Sequence, residues 1–140
     1  MAKLLVQRLN GGKLPCYAHQ GDAGLDLYAA SDLTIPPQET VLVPTGIKMA
    51  IPEGHVGIIK DKSGLARESL HTLAGVVDSG YRGEILVVLK NFGDKVYNIR
   101  KNQKIAQMLV QPIARVEIVE SKELPETIRG ERGFGSTGLH

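Results

Sequence analysis

Apolar residues come along this chain in short clusters rich in Val, Ile and Leu, each closed by Gly, Pro or Asn: "KLLVQRL", "LDLYAA", "ETVLVP", "GIKMAIP", "HVGIIK", "GEILVVLKN", "KVYNI", "KIAQMLVQPI" and "RVEIVE". Runs this short, at this spacing, predict the strands of a β-sandwich or barrel. Helix is expected once, in "SGLARESL" over residues 63–70, where Ser63 would cap a turn or two. Pro36, Pro37, Pro44 and Pro52 stand at run boundaries, where a missing N–H breaks no ladder, so the strands read as antiparallel and joined by tight turns. All-β chains of this size protect their edges by jelly-roll or barrel wrapping, or by lending an edge to a neighbouring subunit. The expected fold is therefore all-β, a jelly-roll-like sandwich or barrel with one short helix, and a homo-oligomer is the expected state.

Length adds that the 140 residues fit one domain of ordinary size, a β domain over 1–124 followed by a flexible glycine-rich tail over 125–140. With 42% hydrophobic and 23% charged residues and a net charge of +2, the composition is that of a soluble globular protein, and bulk charge gives no argument for a nucleic-acid partner. Cys16 is the only cysteine, which excludes an intramolecular disulfide, suits a reducing compartment and reads as an inert small residue. The amino-terminal "MAKLLVQRLNGG" has too short an apolar run for a signal peptide, and no segment approaches the ~18 apolar residues of a membrane span. A cytoplasmic protein with no membrane partner is expected.

Four polar, glycine-marked stretches interrupt the strands, and loops on a rigid scaffold are where function concentrates. In "DAGLDLYAA", Leu25 and Leu27 facing the core would turn Asp26 the other way, as a surface carboxylate or as a metal or catalytic one; Asp22 in the same stretch has the same alternatives. In "DKSGLA", residues 61–66, Lys62, Ser63 and unpaired amides at a helix start make either an anion site, phosphate being the commonest occupant, or a plain capped turn. "AGVVDSGYRGEI", residues 74–85, reads as a β-hairpin with "SG" at its turn. Asp78 there is either a turn cap or a functional carboxylate, and the flat ring of Tyr81 beside it can hold a sugar.

The fourth stretch is the tail "RGERGFGSTGLH", where Gly130, Gly133, Gly135 and Gly138 alternate with Arg129, Arg132, Ser136 and Thr137. Glycines let a backbone wrap close to a ligand, and successive amides form a nest for phosphate. No Lys follows the glycines as a Walker loop requires. Phe134 has no buried face to join in such a segment, so stacking on an aromatic ring is its expected use, with a flexible linker as the alternative. His19, His55, His71 and His140 fall in no metal-ligand spacing, and no Gly-x-Ser-x-Gly elbow occurs. Zinc and covalent catalysis are therefore not expected, which leaves a carboxylate-activated water.

In order and spacing these stretches resemble the motifs of the homotrimeric dUTPases, deoxyuridine triphosphate nucleotidohydrolases, over essentially the full chain: "AGLDLYA", "KSGLA", "GVVDSGYRGEI", "KIAQMLVQPI" and "RGERGFGSTG". The resemblance implies a jelly-roll homotrimer with each active site built from all three subunits. One chain would supply the first, second and fourth motifs, its neighbour the uracil-binding hairpin, and the third chain's tail would close over the nucleotide. It also implies hydrolysis of dUTP to dUMP and pyrophosphate, which limits uracil incorporation into DNA and supplies dUMP for thymidylate synthesis. Asp78 would activate the water that attacks the α-phosphorus, while Mg²⁺ on the triphosphate would offset the developing charge.

By the same resemblance, Tyr81 would lie under the deoxyribose, and the backbone around Gly75, Val76 and Val77 would read the uracil edge, rejecting cytosine by mispaired hydrogen bonds. Lys62, Ser63 and Gly64 would hold phosphate, with Gln107 nearby. Arg129, Gly135, Ser136 and Thr137 would close on the nucleotide, chiefly at its γ-phosphate, with Phe134 stacked on the uracil. Asp26 would either hold metal-bound water or brace the site. Lys62 stands where the family usually has Arg, which keeps the charge and loses the bidentate fork, and "KD" at 60 and 61 replaces a small residue and a proline. Two rivals remain. The related dCTP deaminase would need a catalytic Glu on the outgoing strand, where alternation points Glu84 away from the pocket. A non-catalytic nucleotide-sensing or structural jelly-roll trimer would be marked by loss of the carboxylate or the tail, and Asp78 and Phe134 are both present.

Overall fold

The structure is a computed structural model and describes residues 1–138; Leu139 and His140, the end of the expected tail, lie outside the described residues. Ten strands and one short helix follow one another: β1 (Leu5–Arg8), β2 (Leu25–Tyr28), β3 (Leu33–Ile35), β4 (Thr40–Ala50), β5 (His55–Lys60), α1 (Ser63–Arg67), β6 (Leu70–Leu73), β7 (Val76–Val77), β8 (Glu84–Asn91), β9 (Tyr97–Ile99) and β10 (Lys104–Pro112). One sheet runs β1-β4-β8-β6, the second β2-β10-β5-β7, and β3 pairs with β9 alone. Every pairing is antiparallel, and the all-β jelly roll expected from the apolar runs is the fold observed.

The core follows from side-chain alternation. Along β8, Ile85, Val87, Leu89 and Asn91 point inward, and they meet Leu27, Ile35, Val43, Ile47, Ile99, Ile105 and Met108 from facing strands. Asn91 is tolerated there because its amide donates to the carbonyls of Ile35 (3.0 Å) and Lys95 (2.7 Å) while its oxygen accepts from the Gly93 N–H (2.9 Å). The opposite side of the same sheet is also apolar. Leu42 and Leu86 of neighbouring strands and Leu73 of β6 are exposed there.

Four expectations are corrected and one omission is filled. "ETVLVP" and "GIKMAIP" form one strand, β4, and Pro44 lies inside it, just before a register shift between Pro44 and Lys48 that Gly46 makes possible at φ +68°. The helix stops at Arg67, and its cap position is Lys62, so Ser63 is the first helical residue rather than the cap. "LTI" and "LHTL", short enough to pass unnoticed, are strands β3 and β6, held by pairing with β9 and β8. "RVEIVE" alternates like a strand but is none, because no strand of its own chain lies beside it; Val116, Ile118 and Val119 are exposed. Residues 74–85 turn at Asp78–Tyr81 but form no hairpin, since β7 pairs with β5 and β8 pairs with β4 and β6. The segment instead crosses from one sheet to the other.

Leu89 is 1% exposed in the middle of β8. Leu89→Ala is expected to cost about 2–5 kcal/mol in urea denaturation, and a loss under ~1 kcal/mol would contradict this core assignment.

Candidate active site

The crossing segment opens a cleft of about 230 Å³ between the sheets, walled by Ile59, by Leu73 through Asp78, and by Tyr81 with the start of β8. Its inner wall is a strand edge. The Ile59 N–H donates to the Gly75 carbonyl at 2.8 Å. Hydrogen-bonded and non-hydrogen-bonded pairs alternate in an antiparallel ladder. Val76, opposite Ile58, therefore turns its own N–H and C=O away from β5. Because β7 ends its sheet, those two groups face the open side. Gly75 allows the approach: its φ is +107°, and a Cβ there would stand 2.8 Å from the Ile59 carbonyl oxygen. Val77 is buried and paired with Gly57, so it forms the floor beneath.

Asp78 follows β7 directly and is exposed at the mouth of the cleft, with no ion-pair partner among the described residues. A turn bond from the Tyr81 N–H to the Asp78 carbonyl (3.1 Å) and a bond from the Tyr81 hydroxyl to the Glu84 carbonyl (2.8 Å) fix the tyrosine against the cleft. Gly83, overlooked in the sequence, makes this possible, because a Cβ there would overlap the Tyr81 ring and hydroxyl. Its signal was the small residue two places after the ring. Glu84 lines the cleft, contrary to the expectation from alternation, but its carboxylate accepts from the Gly46 N–H in β4 at 3.2 Å and is engaged with the β4 bulge.

The other predicted residues gather around Asp26. Alternation expects it to face away from the core, but that side is covered too, and Asp26 is 1% exposed. Lys62 Nζ bonds one carboxylate oxygen at 2.7 Å, and Lys104 Nζ stands 3.2 Å from the other, near enough for attraction but too poorly aligned to satisfy it as a hydrogen bond. Burial alone would raise the Asp26 carboxyl, yet the two ammonium groups outweigh it and hold it below its ordinary value of 3.8. Lys104 was missed because the signal for it is spatial: it begins β10, which pairs with β2. Gln107, opposite Asp26 in that pairing, donates to the Asp61 carbonyl at 2.8 Å. Gly24 leaves room for the Gln107 side chain, which a Cβ there would strike. Ser63 and Gly64 are exposed beside Lys62.

These two groups stay apart within one chain: none of Lys62, Ser63, Gly64, Gln107 or Asp26 lines the cleft. The tail joins neither. Arg129, Phe134, Gly135, Ser136 and Thr137 are all exposed. The tail is coiled into turns of its own, such as Ser136 N–H to Gly133 O at 2.8 Å, and Gly135 takes φ +82°. No three His, Cys, Asp or Glu side chains converge as a metal cage among the described residues. Asp26, neutralised by two lysines, does not fit a direct Mg²⁺ ligand. No helix among the described residues is long and apolar enough to cross a membrane.

The family model described as dUTPase matches residues 10–138. The chain is 49% identical to the deoxyuridine 5'-triphosphate nucleotidohydrolase of Clostridium kluyveri, covering 97% of this chain and 98% of that one. It is 48% identical to the protein of the same name from Gloeothece citriformis, covering 98% and 97%. Among solved structures, the dUTPase of Staphylococcus bacteriophage 80alpha with dUPNHPP superposes with a TM-score of 0.93 at 29% identity, over 99% of this chain and 100% of that one. A mutant dUTPase from phage phi11 of S. aureus, which coordinates a structural Mg(II) ion, gives 0.82 at 26% identity, over 87% and 98%.

Because the Asp26 carboxyl is depressed in the folded state, its contribution to stability is complete above the unfolded value and is lost as pH falls through the folded one. Asp26→Asn should cost roughly 2 kcal/mol at neutral pH. The gap to the wild type, read by urea denaturation across pH, should hold down to the ordinary carboxyl value of 3.8 and close only as the pH falls below it. A gap that widens in acid would reverse the assignment.

Proposed function

The chain belongs to the dUTPase family and is a dUTP-hydrolysing enzyme; from that premise we propose how its own residues divide the reaction to dUMP and pyrophosphate. The observation that carries the reading is the outward-facing N–H and C=O of Val76 at the edge of β7. One donor and one acceptor side by side match the imide edge of uracil, which offers an acceptor and a donor in the same spacing. Cytosine carries the pair in reversed order, an N4 amino donor in place of O4 and a bare N3 in place of N3–H, so in the same seat both backbone groups would be mispaired. The Tyr81 ring, fixed over Gly83, lies where a deoxyribose would stack and a 2'-hydroxyl would collide. Asp78 at the mouth takes the proton from the water that attacks the α-phosphorus.

Lys62, Ser63 and Gly64 meet the phosphates, with Gln107 holding the turn through Asp61 and Asp26 bracing Lys62 through their ion pair. Lys62 reaches the phosphates as a point charge shared with Asp26, a looser grip than the family's arginine fork. Mg²⁺ travels on the triphosphate as part of the substrate and offsets its charge. The Glu84 carboxylate, taken up by the Gly46 N–H, speaks against a deaminase, which would need it free.

The active site is shared in a homotrimer. Two features support this: the phosphate-side residues line no part of the cleft, and exposed Leu42 extends the apolar surface of Leu73 and Leu86 beyond the cleft rim, where a second copy would cover it. The third chain's tail, residues 125–140, brings Phe134 onto the uracil and Arg129, Gly135, Ser136 and Thr137 onto the phosphates, excluding bulk water.

Asp78→Asn should bind dUTP and hardly turn it over, and a chain lacking residues 129–140 should form a trimer with little activity. Mixed after unfolding and refolded together in equal amounts, the two should regain roughly a quarter of the wild-type rate, because a site then draws its carboxylate from one chain and its tail from another. No recovery would mean that Asp78 and the tail of one site belong to the same chain. Wild-type turnover by Asp78→Asn would remove it as the base.

A further inference from the structure

We propose that Asp61 is a positioning residue for the triphosphate, holding the Lys62–Gly64 turn against β6 and β10. This rests on the reading of that turn as the phosphate contact. Asp61 directly follows β5, which ends at Lys60, and stands immediately before the turn. One of its carboxylate oxygens accepts from the Thr72 N–H at 2.6 Å and from the Thr72 hydroxyl at 2.8 Å, while the other pairs with His71 Nδ1 at 2.8 Å. Its main-chain carbonyl accepts from Gln107 Nε2 at 2.8 Å. A single residue thus ties the end of β5 to β6 through its side chain and to β10 through its backbone.

The two tethers hold the turn from opposite sides. β6 ends at Leu73, and the chain from Leu73 through Asp78 walls this chain's own base cleft, which in the shared arrangement serves a neighbouring site. Gln107 lies opposite Asp26, which holds Lys62. Loss of the carboxylate would free the turn from the β6 wall while leaving β7 paired with β5, so the base cleft itself would survive. His71 is held from its far side as well, its ring edge-on to Phe92 with centroids 5.4 Å apart. Burial would raise the Asp61 carboxyl, but the Thr72 N–H, the His71 ring and the Thr72 hydroxyl together bring it below its ordinary value, so all three donors meet an anion at neutral pH.

The test compares two ligands in wild-type protein, Asp61→Ala and Asp61→Asn by titration calorimetry: dUPNHPP, which carries the full triphosphate chain, and dUMP, which lacks the outer phosphates. Asp61→Ala is expected to bind dUPNHPP about tenfold more weakly and dUMP within about twofold of wild type, with KM for dUTP raised and kcat largely kept. Asp61→Asn, which still accepts from Thr72, should restore most of the difference. Equal weakening of both ligands, or none of either, would overturn the proposal. Should Asp61→Ala not fold, Thr72→Val removes the hydroxyl bond alone and should weaken dUPNHPP by about threefold with dUMP unchanged; an equal effect on both overturns it again. Wild-type protein that binds neither ligand would sink the functional reading first, a failure distinct from that of Asp61.

Discussion

Two residues of strand pairing, Val76 and Val77 against Ile58 and Gly57, are what the base side of the site depends on. The pairing makes β7 an edge strand of the second sheet, while β8, a few residues later, is central in the first. The chain between them must therefore span the gap between sheets, and the gap is the cleft. The same pairing decides which backbone groups are spent: those of Val77 and Gly75 go to β5, and those of Val76 remain for a ligand. Edge groups are usually a liability in a β protein. Here the exposed pair is small, enclosed by Tyr81 and β8, and of the right polarity to select a base.

The phosphate side is built on charge rather than on a strand edge. Asp26 is one anion between two ammonium groups, so the cluster keeps a net positive charge after pairing, which suits a polyanion. The arrangement also explains how a carboxylate can be so deeply covered: without Lys62 and Lys104 its desolvation would be uncompensated. Lys62 serves both the brace and the proposed phosphate contact. An arginine would have enough donors for both at once in fixed geometry; a lysine must share one rotating group.

Much of this was legible in the sequence, and the failures have physical reasons. The Val-, Ile- and Leu-rich runs identified most strands because burial on one face demands them. β3 and β6 were hidden, since three or four residues with mixed polarity owe their extended form to the partner strand. "RVEIVE" erred in the opposite direction, having the alternation without a partner. The "SG" turn after "VVD" correctly announced a reversal, but a turn signal does not say which strand the arriving segment will pair with. Alternation correctly gave the face of Asp26 but could not tell that the face was covered. Asp78, Tyr81 and Phe134 stood out in the sequence because a carboxylate and a ring beside a turn, and an aromatic in a glycine-rich tail, have no packing pattern to account for them. Asp61, Gly83 and Lys104 did not, because their partners are distant in the chain or visible only as space.

The central claim is that one strand edge and one tyrosine choose the base and the sugar together. Pyrophosphate release from dUTP, UTP, dCTP and dTTP under identical conditions with Mg²⁺ tests it most directly. The account predicts release from dUTP at least about a hundredfold faster than from any of the others. Comparable release from UTP would remove Tyr81 from its role, comparable release from dCTP would remove the Val76 edge, and ammonia from dCTP without pyrophosphate from dUTP would contradict the account as a whole.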